Sequence, residues 1–154
     1  LNSINSFDYN CDNFSFTKFG KPFLLKSEFL FNWAFCNKYI VLVASKDSSV
    51  GVDIEYIDPK FEFLPLWKQV VGTDKLVPHC ELFFRFWTAR EAVAKLSGTG
   101  LNDEIMKLRF QYSAENKQLS LTDFSNIKID QLIINNYLIS IAVLANKRRC
   151  NDYR

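Results

Sequence analysis

The sequence predicts an α+β fold in which antiparallel strands pack on one long helix. Three observations lead there. Leu82, Phe83, Phe86, Trp87, Arg90, Val93, Ala94 and Leu96 recur at helical spacing up to a stop at Gly98. Short segments rich in β-branched and aromatic residues precede that helix, at 29–35, 39–44 and 50–56. Four more follow it, at 106–112, 118–121, 127–134 and 137–144, with Glu115-Asn116-Lys117 and Asn135-Asn136 as hairpin turns.

Taken in order, residues 1–20 are polar and aromatic without periodicity, and Gly20-Lys21-Pro22 reads as a turn. Asn37-Lys38 is the tight turn between the first two strands. The second of these contains the uninterrupted run Ile40-Val41-Leu42-Val43-Ala44, which predicts a strand buried on both faces. A polar turn at 45–49 leads to the strand at 50–56, which Asp58-Pro59 ends. An amphipathic stretch at 61–71 carries Pro65 and is expected to be kinked or split. Pro78 suits the first turn of the long helix. Repeats and low-complexity tracts are absent from the sequence.

A chain of 154 residues fits one domain with a substantial core. With 48% hydrophobic residues, 23% charged and fifteen Phe, it is a globular, soluble composition and not a disordered one. A net charge of +2 is too small to argue for nucleic acid, and Lys147-Arg148-Arg149 reads as a solvated basic tail. Apolar runs are shorter than the ~20 residues of a membrane helix, and no signal peptide is apparent, so no membrane is expected. Cys11, Cys36, Cys80 and Cys150 form no C-x-x-C pair, which points to reduced thiols in a cytoplasmic protein. The chain begins at Leu1, as a processed protein or a fragment would.

Asp53 and Glu55 lie two apart on a strand, so their carboxylates share one face while Val52 and Ile54 point to the other. Alone, such a pair also describes a solvated face. Glu91 and Lys95 lie four apart on the long helix, which alone describes a surface ion pair. Trp87, one turn before Glu91, is expected in the core. Together, three carboxylates from a strand and a helix make an oxygen-rich set suited to Mg²⁺, which commonly takes further ligands from substrate phosphates. Lys95 adds a positive charge suited to a diphosphate or a leaving phosphate.

Gly51-Val52-Asp53-Ile54-Glu55 and Trp87-Thr88-Ala89-Arg90-Glu91-Ala92-Val93-Ala94-Lys95 resemble the paired motifs G-[IV]-D-[IV]-E and W-[ST]-x-[KR]-E-A-x-x-K of the 4′-phosphopantetheinyl transferase superfamily. Gly20-Lys21-Pro22, Gly98-Thr99-Gly100-Leu101 and Leu138-Ile139-Ser140-Ile141-Ala142-Val143 are similar to further family elements in the same order. The resemblance implies one lobe of that fold, and transfer of the phosphopantetheine arm of coenzyme A to a serine of an acyl or peptidyl carrier protein. It implies Asp53, Glu55 and Glu91 as Mg²⁺ ligands, and Glu91, or a metal-bound water it holds, as acceptor of the serine proton. Lys95 would bind coenzyme A and stabilise or protonate the leaving phosphate, and Lys21 would contact the 3′-phosphate or nearby groups of coenzyme A. Residues 98–108 would meet the carrier.

The chain departs from the larger, two-lobed type of the family. It has only a short segment before Gly20, so residues 1–19 read as a remnant or linker, 20–146 as the transferase domain and 147–154 as the tail. Where that type has F-N-[IV]-S-H-[ST], this chain has Phe31-Asn32-Trp33-Ala34-Phe35-Cys36, and Ala34 and Phe35 cannot donate the Ser-His hydrogen bonds to coenzyme A. Arg90 stands where Lys is usual, and His79 reads as structural. Either a second copy completes the cleft, giving an active homo-oligomer, or the chain is a truncated relative that binds carrier or coenzyme A without efficient catalysis.

Overall fold

The computed structural model describes residues 14–25, 27–73 and 75–145; Cys11, Cys150 and the basic tail from 147 fall outside them. In chain order the elements are β1 (Phe14–Phe16), β2 (Pro22–Leu24), β3 (Leu30–Cys36), β4 (Tyr39–Ser45), β5 (Val50–Tyr56), α1 (Leu64–Val71), α2 (Cys80–Ser97), α3 (Asp103–Lys107), β6 (Phe110–Ser113), β7 (Gln118–Leu121), β8 (Ile127–Ile134) and β9 (Tyr137–Leu144). The strands form antiparallel hairpins β1–β2, β3–β4 and β6–β7 and an antiparallel sheet in the order β5-β9-β8. This is the α+β arrangement expected from the sequence.

Helix α2 lies on β5 and β9. Phe83, Phe86 and Ala89 pack with Trp67, Val70 and Val71 of α1 and with Leu119 and Leu138. One turn on, Ala92, Val93 and Leu96 meet Ile105 and Ala142. On the other face of the sheet, Val52 and Ile54 pack with Ala34 and Ile139, against the β3–β4 hairpin. The period-2 alternation of β5 is what sends Gly51, Asp53 and Glu55 towards α2 and the branched residues away from it.

Several local expectations need correcting. Strand β4 is no more than half-buried, and on one face only: Ile40 is 76% and Leu42 61% exposed, and with Trp33 and Phe35 of β3 they make an open apolar face. A run without alternation cannot by itself say which layer is present to cover it. Pro65 falls in the first turn of a helix that begins at Leu64, where its missing N–H costs nothing, so α1 is one piece. Pro78 lies before α2, whose N-cap is His79 in extended conformation. The strand expected from 106 starts at Phe110. Before it, Asn102 Oδ1 accepts from the Glu104 and Ile105 amides and starts α3. The short hairpin β1–β2 has no counterpart in the sequence reading.

Candidate active site

Gly51 makes the site possible. A Cβ at this position would collide with the backbone carbonyl of Ala92 and the amide nitrogen of Leu96. The absence of a side chain lets α2 settle onto the start of β5, and the next two residues on that face, Asp53 and Glu55, come under the helix turns that carry Glu91 and Lys95.

Lys95 Nζ donates to Asp53 Oδ1 at 2.6 Å. The other oxygen, Asp53 Oδ2, is buried with no hydrogen-bond partner. Burial raises the Asp53 pKa, and this outweighs the lowering by Lys95 and by the Ile54 amide. Glu55 is raised by burial and then by the Asp53 charge, while Cys36 and Trp87 act against the shift as hydrogen-bond donors. The Cys36 Sγ–Glu55 Oε2 distance is 3.8 Å. Glu91 is raised by burial and by Asp53, with Lys95 opposing. Three half-buried or buried carboxyl groups, two of them disfavoured by the charge of the third, with one orphaned buried oxygen, are a donor set that fits a cation.

Among the described residues, no three His, Cys, Asp or Glu side chains are gathered into a group that could hold a metal ion as they stand. The set is open, and Lys95 neutralises Asp53 within it. Openness of this kind suits Mg²⁺, which takes one or two carboxylates and leaves the rest of its shell to water and phosphate.

These side chains line a cavity of about 530 Å³ that also takes in Lys21, Trp33, Phe35, Trp87 and Gly98. Lys21 Nζ donates to the carbonyls of Leu96 at 2.8 Å and Val50 at 3.4 Å, which caps the C-terminus of α2; burial lowers its pKa. Trp87 is half-buried and stacks on Phe83 at 6.4 Å, so the residue expected in the core also faces the site. Ala34 and Phe35 both line the cavity, Ala34 buried against β5 and Phe35 76% exposed. His79 lies away from it, on a small separate cavity with Arg85 and Tyr112.

The sequence reading missed Asn32 and Cys36 as neighbours of the site. Asn32 Oδ1 accepts from the Val52 amide and ties β3 to β5. A polar residue inside an otherwise apolar strand was the available signal. Arg90 is 1% exposed, donates to the carbonyls of Val70 and Ile105 at 2.8 Å each, and lies over the Phe110 ring. Burial lowers its pKa to about 10. Its fork reaches two elements at once, which the single ammonium of a lysine does with more difficulty.

The model of the 4′-phosphopantetheinyl transferase superfamily matches residues 49–142, a span that holds Asp53, Glu55, Glu91 and Lys95. The chain belongs to this superfamily. Among similar proteins is a putative 4′-phosphopantetheinyl transferase of Synechocystis, 25% identical over 87% of this chain and 63% of the relative. The 4′-phosphopantetheinyl transferase HetI of Nostoc is 27% identical over 57% of this chain and 42% of its own length. An L-aminoadipate-semialdehyde dehydrogenase-phosphopantetheinyl transferase of Xenopus laevis is 31% identical over 61% of this chain and 38% of its own. This member of the superfamily therefore spans about two fifths to two thirds of the relatives it matches. Lys21 lies outside the span that the family model covers.

Proposed function

We propose that residues 20–146 form a transferase unit that moves the 4′-phosphopantetheine arm of coenzyme A to a serine of an acyl or peptidyl carrier protein, with Mg²⁺. The observation that carries the reading is the buried, half-satisfied Asp53 carboxylate set among Glu55, Glu91 and Lys95. Asp53, Glu55 and Glu91 would hold the ion, which when bound neutralises diphosphate charge and orients the reacting phosphorus.

In the reaction, the serine oxygen bonds to the phosphorus that carries the pantetheine arm. The bond from that phosphorus to the bridging oxygen breaks, releasing adenosine 3′,5′-bisphosphate. Glu91, whose pKa burial and the Asp53 charge raise, takes the serine proton. Lys95 places its charge at the departing oxygen. Lys21, with one ammonium proton beyond its two carbonyl bonds, is positioned to meet a phosphate at the mouth of the cavity. The carrier would approach over residues 98–108, which include α3. A cytoplasmic location and assembly into a homo-oligomer belong to the same proposal. Among the described residues no helix is long and apolar enough to cross a membrane.

A second reading rests on Ala34 and Phe35, which leave the cavity without two polar contacts: binding of carrier or coenzyme A without efficient turnover. Calorimetric titration of coenzyme A with and without Mg²⁺ tests the site common to both. Asp53→Ala is expected to weaken the Mg²⁺-dependent component more than tenfold while melting remains cooperative. Undiminished Mg²⁺-dependent binding would contradict the assignment.

A further inference from the structure

Beneath the carboxylates runs a buried polar chain that the proposed chemistry does not use. Thr88 and Ser140 are fully buried, and their oxygens lie 2.6 Å apart between α2 and β9. Thr88 Oγ1 donates to the Phe84 carbonyl at 2.8 Å. With that proton committed, the proton between the two hydroxyls must come from Ser140. Ser140 Oγ in turn accepts from Gln131 Nε2 at 2.8 Å, and the second proton of that amide goes to the Arg85 carbonyl at 2.8 Å. Arg85 Nη1 returns a bond to Gln131 Oε1 at 3.2 Å, and Glu81 holds the guanidinium. The chain is therefore directed, from Gln131 through Ser140 and Thr88 to the helix backbone, with each of these donors satisfied.

Its placement matters more than its existence. Ser140 is the cross-strand partner of Asp53, so both side chains emerge side by side on the face under α2. Thr88 stands one turn before Glu91 and two before Lys95 on that helix. Apart from the Lys95–Asp53 pair, which belongs to the site itself, and the Arg85–Gln131 bonds at the far end of the chain, the α2–sheet contact is apolar or, at Gly51, bare backbone, which sets distance but resists sliding and rolling weakly. A directed hydrogen bond resists both.

We propose that Thr88 and Ser140 are positioning residues that fix the register of α2 on the sheet and thereby bring Glu91 and Lys95 to Asp53 and Glu55. The inference rests on the reading of those carboxylates as a cation site. Mn²⁺ binding to the folded chain, followed by electron paramagnetic resonance of the free ion, tests it. Thr88→Val and Ser140→Ala are each expected to weaken Mn²⁺ three- to tenfold. Thr88→Ser, which keeps the hydroxyl, stays within twofold of wild type. The double variant Thr88→Val/Ser140→Ala binds no more weakly than the single ones, because both act on one bond. Leu119→Ala, a core position of β7 packed on the N-terminal half of α2, is the control: it lowers the melting temperature and leaves Mn²⁺ affinity unchanged.

Unchanged affinity in both Thr88→Val and Ser140→Ala would overturn the inference, and so would an equal loss in Leu119→Ala. If Thr88→Val does not fold, the smaller Ser140→Ala decides alone. A wild-type chain that binds no Mn²⁺ at all would overturn the cation site and this inference with it, an outcome distinct from binding that the variants leave untouched.

Discussion

At the scale of the residue, the site is a set of charges held against their preference. Asp53, Glu55 and Glu91 all have pKa values raised chiefly by burial. A carboxyl group whose folded pKa lies above its unfolded one is stabilised by folding only while protonated. Its contribution is full below the unfolded pKa, near 4, and is lost as pH rises through the folded value. The metal-free protein is therefore destabilised by this cluster at neutral pH. Glu55→Gln is expected to raise the melting temperature of the metal-free chain at pH 7 by roughly 1–3 °C, small because Glu55 is partly solvated. The difference should shrink towards pH 4, as thermal melts across that range would record. Lys95 is the internal counter-charge of Asp53 and the proposed partner of the leaving phosphate. Lys95→Ala is expected to lower kcat by about 10²–10³ with a much smaller change in coenzyme A affinity. Steady-state kinetics with a separate binding titration would separate the two effects; equal loss in both would make Lys95 a binding residue.

At the scale of the element, β5 and α2 do most of the positioning, and their contact depends on one missing side chain. Gly51→Ala puts a Cβ into the backbone of α2 at Ala92 and Leu96, which cannot move as a flexible side chain would. Overpacking of this kind costs about 1–3 kcal/mol or more, so a fall in melting temperature of roughly 2–10 °C is expected for a chain of this size. Coenzyme A binding should weaken as well, since the helix can relieve the clash only by lifting Glu91 and Lys95 away from the strand.

The same two elements were the most legible in the sequence. Alternation in Val50–Tyr56 and the helical repeat ending at Gly98 follow from local physics, and both are where expected. What escaped depended on context beyond the segment. Strand β4 reads as doubly buried because Ile40 to Ala44 are all apolar, but burial requires a second layer that sequence pattern does not supply. Helix α3 was hidden by the β-like residues after it, although Asn102 followed by Asp103 and Glu104 is a readable start signal. The candidate side chains were legible because two motifs carry them. The Thr88–Ser140 bond was not, since it joins residues 52 apart and depends on strand register.

At the scale of the whole molecule, the chain is a member of the 4′-phosphopantetheinyl transferase superfamily that spans only part of its matched relatives. Its cavity is bordered by the open apolar face of β3 and β4, with Phe35 at the rim. The proposed activity therefore asks whether this span, with its carboxylates and Lys95 but without the Ser-His donors, suffices for turnover. The most direct measurement is the intact mass of an apo acyl carrier protein after incubation with the purified chain, coenzyme A and Mg²⁺. The account predicts a gain of one phosphopantetheine arm that disappears when Mg²⁺ is chelated. A carrier of unchanged mass, with the chain folded and acyl and peptidyl carriers both tried, would contradict it.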